Sequence, residues 1–179
     1  MLLLTAGLSR GEDEYPVFVY PGARASGEIV LDGLLSEPAW DEAPLVTGFT
    51  YYNRQEPAPA QTLFRVLYDE RCLYLGVTCQ EPEWARLIPI SVARDSPQIF
   101  AQEAVEIFLD PQHSHQRYFQ FAFNLAGDIY DSMGTDARWS CPAVAAASVA
   151  EGAWFVEVAM PWADLGIEAP RAGQVLGFK

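Results

Sequence analysis

A single carboxylate in the middle of an apolar alternation is the first chemically able group in this sequence. In "EAVEIFLD" (103–110), Val105, Ile107 and Leu109 fall on one side, and Ala104, Glu106 and Phe108 on the other. Glu106 therefore stands mid-strand between two apolar residues of its own face. Such a group could catalyse, ligate a metal, form an ion pair or accept hydrogen bonds from the hydroxyls of a sugar. The stretch "RYFQFAFN" (117–124) offers matching parity, with Phe119, Phe121 and Phe123 on one face and Tyr118, Gln120, Ala122 and Asn124 on the other. If the two strands are neighbours, Glu106, Gln120 and Asn124 line one floor, and the small Ala104 and Ala122 leave room above it. The competing reading is the plain solvent face of a sandwich, where such residues need no explanation. Parity does not decide between the two.

Hydrolysis of a glycosidic bond needs two carboxylates facing each other across a cleft. Glu103 would point away from Glu106, and Asp95 approaches only if the long loop before the strand folds back. Asp110 has the right parity but lies roughly 13 Å along the strand, too far for the retaining geometry. No Ser-His-Asp pattern and no phosphate-binding glycine loop occurs. His113 and His115, in "PQHSHQ", read as a solvated turn rather than a metal site with Asp110. The acidic clusters "GEDE" (11–14), "DGLLSE" (32–37) and "DSMGTD" (131–136) hold oxygens that suit calcium, but none has EF-hand spacing. Among the tryptophans, Trp40, Trp154 and Trp162 sit in core-type contexts. Trp84 and Trp139 lie in loops beside charged residues and are the stacking candidates, although packing lids are the commoner role of loop tryptophans.

What must position these groups is a set of strands. "TLFRVLYD" and "CLYLGVTC" alternate on either side of a short turn, "AWFVEVAMP" alternates again, and "GQVLGF" opens a last strand. "AVAAASVA" is ambiguous between helix and strand, "PWADLG" reads as one helical turn, and residues 80–102 form a long excursion. About nine or ten short strands with little helix predict an all-β antiparallel β-sandwich of jelly-roll or immunoglobulin-like kind. Residues 1–28 read as a leader plus one short strand, "PVFVY", and residues 29–179 as the sandwich domain. The last residues fall inside an apparent strand, so the domain is expected to be truncated at its C-terminus.

The 179 residues carry a net charge of −13, from 24 acidic against 11 basic residues, and Lys179 is the only lysine. That balance disfavours nucleic acid and suits a neutral ligand or a cation. No stretch reaches the length of a membrane span. Cys72, Cys79 and Cys141 show neither zinc spacing nor a disulfide framework; seven residues apart in one strand, Cys72 and Cys79 lie on opposite faces.

Several phrases resemble the family 9 carbohydrate-binding modules in that family's order. They include "LDGLLSEPAWDEAP" (31–44), "FRVLYDERCLYLGV" (64–77), "RDSPQIFAQEAVEIFLDP" (94–111), "YFQFAFNLAGDIYDS" (118–132) and "GAWFVEVAMPWADLG" (152–166). The resemblance implies a sugar-binding sandwich, attached to or partnering a glycoside hydrolase, with possible structural calcium and an extracellular or periplasmic location. It makes Glu106 and Asn124 partners of sugar hydroxyls and puts a stacking platform at Phe100, where the family's better-known members carry tryptophan. It also departs from them at Ala122, where they carry arginine. The expected carbohydrate site is thus Phe100, Glu106, Gln120, Asn124 and Trp139. Two other readings stand beside it: a haem-binding electron-transfer sandwich drawing on Met133, Met160, His113 or His115, and a ligand-free scaffold.

Overall fold

The computed structural model describes residues 2–6, 18–52, 54 and 56–179. The "GEDE" stretch and the first residues of "PVFVY" lie outside them. Ten strands form among the described residues: β1 (Leu2–Ala6), β2 (Phe18–Arg24), β3 (Thr62–Tyr68), β4 (Cys72–Gln80), β5 (Ala104–Asp110), β6 (Phe119–Asn124), β7 (Ile129–Met133), β8 (Val144–Ala150), β9 (Ala153–Pro161) and β10 (Val175–Phe178). A five-residue helix, α1 (Pro38–Glu42), is the only α-helix among the described residues. No helix among them is long and apolar enough to cross a membrane. Leu2–Ala6, read from sequence as leader, is here a strand between β10 and β2.

Strand order is β7-β6-β5-β10-β1-β2-β3-β4-β9-β8. β2 pairs with β1 through its first residues and with β3 through Ala23 and Arg24, so one strand serves two layers. All pairings are antiparallel except β1 with β10 and β2 with β3. The layers close face to face because alternation is apolar on one side of each. Phe64, Val66, Leu75 and Val77 of β3–β4 share one core with Ile107, Leu109, Phe121 and Phe123 of β5–β6. Phe64 meets Phe178 across it at 5.6 Å between ring centroids. The sandwich expected from sequence is the one observed.

"AVAAASVA" resolves as β8, paired with β9 over its whole length. Its alanines favour helix intrinsically, but a partnered edge and a core to cover on one face outweigh that small preference. Trp154 and Trp162 are buried in the main core, as their contexts suggested. Cys79 faces that core and Cys72 the opposite side of β4; all three cysteines are free, and burial pushes the Cys79 and Cys141 thiols up to about 12.

A second, smaller core lies on the outer side of β3, β4 and β9. There the 29–43 segment folds flat and inserts Trp40, 1% exposed, against Leu67 and Tyr74. Its anchor is Glu157 of β9, which is fully buried. One carboxylate oxygen accepts from Asp32 N (3.0 Å) and Gly33 N (2.6 Å), and the other from Trp40 Nε1 (2.9 Å). Burial pushes the Glu157 carboxyl upward, and these three donors partly oppose that by favouring its ionised form. Gly76 is the cross-strand partner of Glu157, and its missing side chain makes room for the Trp40 ring.

Candidate functional site

With one face of the β3-β4-β9 layer covered by the Trp40 segment, the other layer presents its outer face. Glu106 is paired across β5 and β6 with Ala122, and Ala122 across β6 and β7 with Tyr130. One step along, Phe108, Gln120 and Ser132 form the next row. Glu106 is exposed and accepts from Gln120 Nε2 at 2.6 Å; Gln120 Oε1 in turn accepts from Ser132 Oγ at 3.3 Å. Three polar side chains from three strands thus form one chain of hydrogen bonds.

Aromatic rings border this polar line. Phe100, 43% exposed, stands edge-to-face on Tyr130 with centroids 4.9 Å apart. Phe108 meets Tyr118 in the same manner at 5.8 Å. Phe100 is carried by a 3-10 turn, Pro97–Ala101, which Ser96 caps through Gln98 N. The long excursion that leads to it is strapped down. Val92 N and Ser91 Oγ donate to Asp128, and Arg94 pairs with the buried Asp131 and reaches Cys141 O. Burial raises the Asp131 pKa, and the Arg94 guanidinium pulls it back down. Beside Glu106, past the edge of β5, a crevice of about 230 Å³ opens between the layers, walled by Phe49, Phe64, Val105 and Phe178.

The structure brings Phe100, Glu106 and Gln120 onto one face and sets the other two expected residues apart. Asn124 shares the outward parity but is buried. Its Oδ1 accepts from Ala126 N and Asp128 N, and its Nδ2 donates to Gln102 Oε1 (2.7 Å), Asp128 Oδ2 and Ile90 O. These bonds hold the turn after β6 and tie it to the excursion, leaving no position on the amide for a hydroxyl. Trp139 packs on Phe119 (4.6 Å) and Phe121 (5.9 Å), both core-facing residues of β6, so it lies on the opposite side of the strand from Glu106. It is a packing lid, because the loop after β7 returns over the inner face of the sheet. Tyr130 and Ser132 were missed by the sequence reading. Their parity in "DIYDS" is legible, but placing them beside Glu106 needs the register of β7, which no short motif supplies.

Replacing Asn124 by alanine should therefore cost about 2–4 kcal/mol, since two backbone donors lose their acceptor and the acceptors around Nδ2 lose their donor. Thermal unfolding checks this. A melting temperature unchanged from wild type would show that the amide is spare for ligand.

The other expected ligands find different duties. Asp110 accepts from Gln112 N, His115 N (2.6 Å) and Ser114 Oγ, which closes the turn that carries both histidines. Met160 is in the core, and the Arg117 guanidinium covers the Met133 sulfur. The His113 and His115 rings lie against each other, with centroids 4.6 Å apart. No three His, Cys, Asp or Glu side chains among the described residues are grouped to hold a metal. Asp32 accepts from Leu34 N and Asp136 pairs with Arg138, so these two carboxylates of the acidic stretches have local partners.

A family profile described as "Carbohydrate family 9 binding domain-like" matches residues 31–179. No curated protein sequence matches the chain. Among solved structures, similarity extends to a carbohydrate binding module family 9 from Caldicellulosiruptor kristjanssonii in complex with cellotriose. It is 16% identical, with a TM-score of 0.61, and the match covers 88% of this chain and 73% of that one. A family 9 module of that organism in complex with glucose is 16% identical, with a TM-score of 0.58 and coverages of 87% and 74%. A Bacteroides uniformis protein is 14% identical, with a TM-score of 0.62 and coverages of 84% and 75%. At such identities the likeness is one of fold.

Proposed function

The chain belongs to the carbohydrate family 9 binding domain-like proteins, and from that premise we propose that its outer β5-β6-β7 face binds neutral carbohydrate without cleaving it. The observation that carries this is the exposed Glu106 carboxylate, oriented by Gln120 and bordered by two edge-to-face aromatic pairs. A pyranose offers hydroxyl groups around its rim and apolar C–H faces. A carboxylate and an amide answer the first, and aromatic planes the second. Asp110, the carboxylate of matching parity on the same strand, is engaged by its own turn, and an exposed carboxylate with an aromatic border suits binding. The cellotriose and glucose bound by the Caldicellulosiruptor modules make gluco-oligosaccharides the first ligands to try. A module of this kind would concentrate a linked or partner glycoside hydrolase on its polymer, and the setting proposed for it is outside the cell or in the periplasm.

Calorimetric titration of wild type and Glu106→Ala with glucose and cello-oligosaccharides tests the reading. Loss of a charged hydrogen bond to ligand weakens binding by about ten- to hundredfold, while the exposed site leaves melting unchanged. Equal affinity in the two proteins, or no heat with any sugar, refutes it.

A further inference from the structure

Residues 49–52 and 56–58 form two paired arms that the proposed site does not use. Thr50 bridges Pro57, Tyr51 N donates to Glu56 O (3.1 Å), Arg54 N to Tyr51 O (3.0 Å) and Ala58 N to Phe49 O (2.9 Å). Gln61, just before β3, clamps their base. Its Oε1 accepts from Gly48 N (3.0 Å), Phe49 N (3.0 Å) and Thr47 Oγ1 (3.2 Å), and its Nε2 donates to Phe49 O (3.0 Å) and Ala58 O. One side chain thus joins both arms of the hairpin to its foot.

This pinned element spends its aromatic residues on solvent. Phe49 is 42% exposed, Tyr51 44% and Tyr52 90%. The Phe49 ring touches Phe64 at 6.0 Å, which seats the base, and the Arg54 guanidinium lies 5.7 Å from the Tyr51 ring. A lone exposed aromatic residue needs no account. A run of them on hydrogen-bonded arms does, because presenting apolar planes to water gains nothing for the fold. Position adds to this: Phe49, at the root of the hairpin, and Glu106 line the same crevice.

Tyrosine rings with hydroxyl tips, beside a guanidinium, match a pyranose in the same way as the main site. Resting on the reading of Glu106 given above, we propose that Tyr51, Tyr52 and Arg54 of this hairpin are a second sugar-stacking element, with Tyr52 as its plane and Tyr51 and Arg54 as its polar shoulder. The molecule then takes a length of polysaccharide rather than one ring, with Glu106 at one end of the contact and Tyr52 at the other.

Wild type, Tyr52→Ala and Glu106→Ala are titrated with glucose and with cello-oligosaccharides of increasing length. Wild-type affinity should rise with length. Tyr52→Ala should bind glucose as wild type does but lose about tenfold on the longest oligomer, the worth of one aromatic contact. Glu106→Ala should weaken every sugar, glucose included. Parallel length curves for wild type and Tyr52→Ala overturn the inference while leaving the Glu106 site standing. So does an affinity that is flat with length in wild type. Absence of any sugar binding to wild type removes both readings. If Tyr52→Ala alters self-association in sedimentation while the sugar curves stay parallel, the hairpin is a protein contact and the inference fails.

Discussion

Replacing Glu157 by alanine lowers stability by about 3–5 kcal/mol, and the melting temperature falls by roughly 6–20 °C. The carboxylate is buried and serves three donors from the 29–43 segment: Asp32 N, Gly33 N and Trp40 Nε1. Alanine leaves those donors facing protein rather than water, each at a cost of about 1–3 kcal/mol, less what relaxation recovers. Burial of the charge itself offsets part of the loss, which is why the total falls short of the sum. Glutamine recovers only a fraction, because an amide presents a donor where the native group has acceptors on both atoms. Trp40 reports the event directly. Its fluorescence should shift to the red in Glu157→Ala under native conditions as the segment loosens from the β4–β9 face. A loss below about 1 kcal/mol, with Trp40 emission unchanged, would show that the segment is held by apolar packing alone.

Gly33→Ala should cost about 2–4 kcal/mol by a different route. Gly33 has φ +80°, a left-handed conformation that glycine adopts freely and alanine does not. A Cβ built there would lie 2.8 Å from the Ala147 carbonyl carbon, and backbone cannot swing aside as a side chain can. The close approach has a purpose: Gly33 O accepts from Ser148 Oγ at 2.6 Å while Gly33 N donates to Glu157. The two substitutions therefore disturb one joint. Their effects should fall short of additive, by about 1–2 kcal/mol in a double-mutant cycle read by denaturant unfolding. Full additivity would place Gly33 and Glu157 in independent contacts.

Glu106 and Glu157 show what sequence can and cannot disclose. Both stand alone in apolar alternations, "VEIF" and "VEVA", and the pattern is the same. One carboxylate is exposed beside Gln120; the other is sealed beneath Trp40. The difference lies in what covers each face, and that is set by a segment more than a hundred residues away in the chain. Alternation therefore disclosed the strands, the core faces of β3, β4, β6 and β9, and the neighbourhood of Glu106 and Gln120, because period and parity are local properties. It could not tell that Asn124 is consumed by its own turn, since side chain-to-backbone bonds leave no period. Nor could it tell that the loop carrying Trp139 returns over the inner rather than the outer face. The alanines of "AVAAASVA" mislead for a related reason: the pairing with β9 that makes them a strand is non-local.

Glu106 is steadied by a neutral amide rather than by a guanidinium, on a molecule whose formal charge is −13. Its field is therefore felt by whatever approaches. Pectic uronates, alginates and sulfated glycans would be repelled across a Debye length, about 8 Å at physiological salt, before any hydroxyl could be inspected. Cellulose- or mannan-like chains, carrying no charge, would pass. On the proposed reading, discrimination among polymers would begin at a distance, through solvent, and brine would blunt it.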